Sequence, residues 1–174
     1  DRFNKENAEE ALNMIQAVDV LIKKNIDQKQ KDILIANKAS YLITLIRIDL
    51  LKSPKMELGS EGQALVKRVE EALDELSSRA QSNEFTSNLV LMRGLLDLYN
   101  NRSYVENFSR AIALNPKSSA APWMSFMLAE HYFEEEDYQR ARAAYLKYFD
   151  KNNLKQKEFA LYKLAWCMIT AGEP

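Results

Sequence analysis

Apolar positions along this chain recur at intervals of three and four, the spacing that lines one face of a helix. Ala8, Leu12, Ile15, Val18 and Ile22 form one such stripe, and Leu65, Val69, Leu73, Leu76 and Ala80 form another. No sustained alternation of apolar and polar residues, bounded by turn residues, marks an exposed strand. The pattern therefore predicts an all-α chain. The stretch from Ile33 to Leu51 is apolar around more than half of its circumference, which predicts a helix packed on two sides and hence central. Pro54 and Gly59 punctuate the loop after it. Ser60, with Gln63 three residues on, fits a capping box at the start of the next helix, each side chain satisfying a free backbone N–H.

From Asn88 onward the segments shorten. A helix from about Leu89 to Tyr99 is followed by the turn "NNRS", a helix from about Tyr104 to Leu114, and the connector "NPKSSAAP". An ordinary helical bundle would show the same periodicity, so a longer-range repeat is needed to separate the two architectures. Laid over itself at an offset of 36 residues (161 − 125), the chain aligns "SFMLAEHYFEEEDY" from Ser125 with "LYKLAWCMITAGEP" from Leu161. Leu128 then meets Leu164, Ala129 meets Ala165, and Tyr132 meets Met168. In a stacked array the small residue is needed where two helices approach closely, and the large ones fill the space beside it.

These residues resemble the tetratricopeptide repeat (TPR), a helix with a large-small pair, a turn often reading Gly-Asp-Tyr, and a second helix with a small residue and aromatics. The turn reads Glu136-Asp137-Tyr138 in one copy and Gly172-Glu173-Pro174 in the next, and the second helix supplies Ala141, Tyr145 and Tyr148. Tyr148 stands where the family has a small residue, and the spacing exceeds the family's 34-residue period by about two, which the long connector "DKNNLKQK" accounts for. Upstream, "FSRAIALNP" from Phe108 to Pro116 is similar to a TPR second helix ending in proline, with Gly94 as the small residue of its first helix. The resemblance implies an α-α superhelix of antiparallel helix pairs, about eight helices in one domain over residues 1–174. Within it, 1–87 would be divergent helical pairs, 88–121 a degenerate repeat, 122–157 a TPR, and 158–174 the first helix of a truncated one.

Composition narrows the function classes. The 174 residues are 47% hydrophobic and 10% aromatic, enough for a sizeable core. Twenty-four Lys and Arg stand against 25 Asp and Glu, a net charge of -1, so neither nucleic acid nor an anionic membrane surface is an expected partner. RNA recognition by helical repeats would want a basic groove. The longest greasy stretch, "YLITLIRIDLL", is broken by Arg47 and Asp49 and falls short of the roughly 20 residues a membrane helix needs. Cys167 is the only cysteine, so no internal disulfide forms. Compartment stays open between cytoplasm and bacterial periplasm, since Asp1 begins without a basic segment followed by an apolar one.

Candidate chemistry is sparse. The acidic run Glu134-Glu135-Glu136-Asp137 lies at the turn between two helices. A calcium loop needs alternating oxygen ligands and a mid-loop glycine, so the run reads as a soluble corner, with Asp137 capping the second helix. His131 and Cys167 are the one imidazole and the one thiol, but they share the repeat's own offset of 36 residues (167 − 131). Equivalent helices lie at least about 8 to 10 Å apart, too far for a nucleophilic dyad. No phosphate loop, paired metal ligands or nucleophile elbow occurs. No catalytic residue, metal site or cofactor is expected. The sequons at Asn101 and Asn107 read as chance occurrences.

The aromatics carry more. Trp123, Phe126 and Phe133 fall on one first helix, and Phe159, Tyr162 and Trp166 on the next. In the resemblance, Trp123, Phe126, Phe159, Tyr162 and Trp166 line the concave surface, with Glu130 and Lys163 beside them, and large aromatics supply much of the energy at protein interfaces. TPR domains that clamp a chaperone's terminal carboxylate use Lys and Asn where this chain has Phe126 and Glu130, so that clamp is not expected. The expected function is a non-catalytic protein-protein interaction scaffold that binds a segment of another protein. A structural assembly factor of a bacterial envelope or motility complex is the alternative. The chain stops where a second helix should begin, so the stripe Leu161, Leu164, Ala165 and Met168 is expected to lack its companion. That predicts a piece of a longer protein, or a homodimer through the last helix.

Overall fold

The structure, a computed structural model, describes residues 2–79, 82–149 and 157–170. The expected stripe residue Ala80, most of the connector "DKNNLKQK" and the turn Gly172-Glu173-Pro174 lie outside the described residues. Among those described, the chain is all-α with eight helices and no strand. They are α1 (Arg2–Ile22), α2 (Gln28–Lys52), α3 (Ser60–Ser77), α4 (Asn83–Tyr99), α5 (Val105–Leu114), α6 (Ala121–Glu134), α7 (Tyr138–Phe149) and α8 (Lys157–Thr170). The single domain expected over 1–174 divides into two compact units, Asp1–Tyr104 and Val105–Pro174. The division falls inside the segment 88–121 expected as one degenerate repeat.

In the first unit α2 is central, as its apolar pattern around more than half of its circumference predicts, and packs against α1, α3 and α4. Ala36, Ala39, Leu42, Ile43 and Ile46 of α2 interleave with Val66, Val69, Leu73 and Leu76 of α3 and with Leu89 and Leu96 of α4. The α1 stripe is shifted from its expected line: Ala11, Ile15 and Val18 are buried while Leu12 is half exposed. With α2 as its packing partner, α1 buries the single line Ala11, Ile15 and Val18, spaced by four and three.

Two helix starts also differ from expectation. The capping box Ser60–Gln63 does not form, because Ser60 is already inside α3 and Gly59 is the N-cap, without a side-chain cap. An acceptor from another helix replaces it: Asp49 Oδ2 of α2 takes the Gly59 N–H at 2.9 Å, an anion beside a helix N-terminus. A Cβ on Gly62 would lie 2.3 Å from that same oxygen, so the glycine makes room for the carboxylate. α4 begins at Asn83, six residues before the expected Leu89, because Ser82 caps it by accepting the Phe85 N–H at 3.2 Å. Phe85 is the only apolar residue from Ser82 to Asn88, too sparse a signal for an apolar-periodicity reading to place that start.

In the second unit α6 packs against α5, α7 and α8, and α7 packs against α8. Ala129, Ala141 and Ala160 are fully buried, letting successive helices approach closely. The 36-residue equivalence holds in part. Leu128 and Leu164 are both buried, but Ala129 is buried while Ala165 is exposed. Ala165 therefore does not sit at the close-approach crevice expected of it: α7 covers that face of α6, and no helix among the described residues covers the same face of α8.

The α6–α7 corner explains its own residues. The Asp137 N–H donates to the Tyr132 carbonyl at 2.9 Å and the Glu136 N–H to the Phe133 carbonyl at 3.2 Å, with Glu136 at φ 57. This is the Schellman arrangement, which favours glycine at the left-handed position. α4 ends in the same way, with Asn101 at φ 54 and the Arg102 N–H donating to the Asp97 carbonyl at 2.8 Å.

Candidate partner-binding surface

α8 shows different chemistry on its different sides. Ala160, Leu164 and Cys167, spaced by four and three, are buried. Phe159, Tyr162 and Trp166 recur by three and four on another line, and they are 50%, 64% and 48% exposed. Lys163 lies beside this line and is mostly buried: its Nζ donates to Glu130 Oε2 of α6 at 2.6 Å, with side-chain exposures of 14% and 19%. The ammonium also lies 4.6 Å from the Phe133 ring centroid and 4.7 Å from that of Phe159, held between two π faces.

The other Glu130 oxygen accepts from the hydroxyl of Tyr145, a fully buried residue of α7. Burial, and then the bond to Glu130, push the Tyr145 hydroxyl far above its ordinary pKa, so it stays a donor. One carboxylate thus joins α6, α7 and α8. Glu130 and Lys163, expected as partner-binding residues, neutralise each other inside the unit, and their partners within the chain explain their places.

Phe126 needs a correction as well. It is 9% exposed, with its ring centroid 6.4 Å from Tyr145 and 5.1 Å from Tyr148. It is a core residue of the α6–α7 pair, because Tyr148 stands where a small residue would have left it uncovered. Trp123 is 39% exposed and rests edge-on against Phe108 of α5, centroids 5.3 Å apart. The structure therefore brings Phe159, Lys163 and Glu130 together, leaves Tyr162 and Trp166 open on the same helix, and ties Trp123 to α5. Sequence reading did not single out the Phe133 contact with Lys163 or the Tyr145 hydroxyl. The signal was present in the spacing Glu130, Phe133, where residues three apart share a helix face.

The remaining candidates take ordinary places. Glu134, Glu135 and Glu136 are exposed, and Asp137 accepts from the Arg140 N–H at 3.0 Å and from its Nε at 2.6 Å. These bonds to Arg140 hold the Asp137 carboxyl below its usual range. Cys167 is buried, and burial pushes its thiol up, away from the reactive thiolate. Among the described residues no group of three or more His, Cys, Asp or Glu is placed to hold a metal ion. No helix among them is long and apolar enough to cross a membrane. Comparison with known proteins gave no matching family model, no matching curated protein and no matching solved structure.

Proposed function

We propose that this chain is a non-catalytic interaction scaffold of TPR type, whose α8 face captures a segment of a partner protein. The observation that carries this reading is the line Phe159, Tyr162 and Trp166, three large aromatics at half exposure or near it on one helix. Such residues contribute most of the energy at protein interfaces because they bury much area at small entropic cost. Lys163 supports the reading indirectly. Its charge is matched by Glu130, so an apolar or aromatic partner segment can lie across the face without burying a lone ion. The captured segment is extended or helical and docks side chains between the rings. The second exposed line of α8, Leu161, Ala165 and Ile169, is where a second copy of the chain would dock. Substituting both Tyr162 and Trp166 by Ala abolishes capture while leaving helix content intact; unaltered capture refutes the assignment.

A further inference from the structure

α7 sits on α6 through a row of ring contacts. Tyr145 and Tyr148 lay their rings against Phe126, with centroids 6.4 and 5.1 Å away, the Tyr145 hydroxyl donates to Glu130, and Tyr138 meets Phe133 at 5.7 Å. Ala129 of α6 and Ala141 of α7 are fully buried. Tyr138 meets the later residue of α6 and Tyr148 the earlier one, so the two helices run antiparallel. At the 36-residue offset (162 − 126), Phe126, Ala129, Glu130 and Phe133 correspond to Tyr162, Ala165, Trp166 and Ile169 of α8. All four of these are exposed, Ile169 at 76%. The face of α8 that matches the α7 seat on α6 is therefore open, and none of its four residues carries a charge.

Two properties choose what fits there. The backbone groups of α8 are spent within the helix, which has no strand edge to offer. An extended segment would lay its own N–H and C=O groups against rings without partners, whereas a helix satisfies them internally. The second property is the exchange of Glu130 for Trp166. Glu130 accepts from the Tyr145 hydroxyl, but the indole of Trp166 only donates. A ring seated between Tyr162 and Trp166 thus fits better without a hydroxyl, which would be buried unpaired.

We infer that α8 seats an amphipathic helix of a partner protein, antiparallel to it as α7 is to α6. That helix presents a small residue to Ala165, a Phe four residues later between Tyr162 and Trp166, and another aromatic three residues further on over Tyr162, the spacing of Ala141, Tyr145 and Tyr148. Such docking presupposes that α8 is the capture face and specifies what it captures. The test titrates the full chain with acetyl-Tyr-Gln-Arg-Ala-Arg-Ala-Ala-Phe-Leu-Lys-Tyr-Phe-amide, the α7 sequence with Phe at the place of Tyr145, following the Trp166 indole N–H by NMR. Three counterparts carry Tyr at that place, Leu at the place of Ala141, or Pro at the place of Ala144. The Phe peptide shifts the signal saturably, gains helicity on binding, and binds at least about tenfold more tightly than each counterpart. Tyr162→Ala, at an exposed position, weakens it at least about tenfold. Equal binding of the Pro peptide overturns the helical seat and leaves α8 a capture face. Equal or tighter binding of the Tyr peptide overturns the register, since that is the preference of the α7 seat beside Glu130. No shift with any peptide, or a shift that follows chain concentration alone, overturns the inference in favour of no helical ligand or of a second copy. The broader capture reading fails separately, if the Tyr162→Ala/Trp166→Ala variant captures protein as the unsubstituted chain does.

Discussion

Lys163 of α8 and Glu130 of α6 meet at 2.6 Å across a gap of 33 residues, both with less than a fifth of their side chains exposed. The pair closes the packing of three helices, because Glu130 also receives the Tyr145 hydroxyl from α7. Breaking such a pair from one side strands the other charge, whereas replacing both partners with apolar groups removes the problem. Glu130→Leu and Lys163→Met should therefore each lower unfolding stability by about 1–3 kcal/mol, and the double variant by less than the sum of the two. Urea unfolding of the four proteins measures this, and strict additivity would contradict the coupling.

A sign reversal is expected at Gly62. In an exposed helix Gly→Ala is stabilising by about 1 kcal/mol, but here the added Cβ meets Asp49 Oδ2 at 2.3 Å. Gly62→Ala should destabilise the unsubstituted chain and stabilise the Asp49→Ala variant, in which only Leu58 Cδ2, the movable end of a side chain 3.1 Å from the added Cβ, has to give way. Thermal melts of the two backgrounds distinguish this from an ordinary propensity effect, which would have the same sign in both.

Glu136 occupies the left-handed region at φ 57, which an L-residue enters at a penalty of about 1–2 kcal/mol. Glycine enters it without that penalty, although it loses more freedom on folding. Glu136→Gly should raise stability by about 0.5–1 kcal/mol on balance. Equilibrium unfolding checks the sign, and a loss of stability would show that the Glu136 side chain holds the corner.

Asp137 gives a pH signature. Its carboxyl is lowered by the backbone and side-chain N–H groups of Arg140, so its folded pKa lies below its unfolded one. The stability it contributes is fully present above the unfolded value and is lost as pH falls through the folded value. The difference in unfolding free energy between the unsubstituted chain and Asp137→Ala should thus be constant near neutrality and shrink on acidification through the acidic end of the carboxylate range. A difference that does not change with pH would show that the cap acts without its charge.

The all-α class and the central α2 were legible because both rest on periodicity, a property each residue displays locally. The α3 start was not: Ser60 and Gln63 form a sound local signature, yet the acceptor that wins is Asp49, brought from another helix by packing. Phe126 was misplaced for a related reason. Its position on α6 suggests exposure, but what covers it is the ring of Tyr148, 5.1 Å away, and only the α6–α7 crossing decides that contact. Lys163 and Glu130 were singled out as recognition residues by their places on first helices. That each is the other's partner depends on the α6–α8 distance, which no single-helix pattern contains.

If the α8 aromatics form a recognition face, affinity capture with the unsubstituted chain beside the Tyr162→Ala/Trp166→Ala variant reveals it. Both residues are exposed, so circular dichroism and melting should be unaltered within about 0.5 kcal/mol. A bound protein should be retained by the first and absent from the second; the same proteins retained by both, in the same amounts, would rule out Tyr162 and Trp166 as the recognition face.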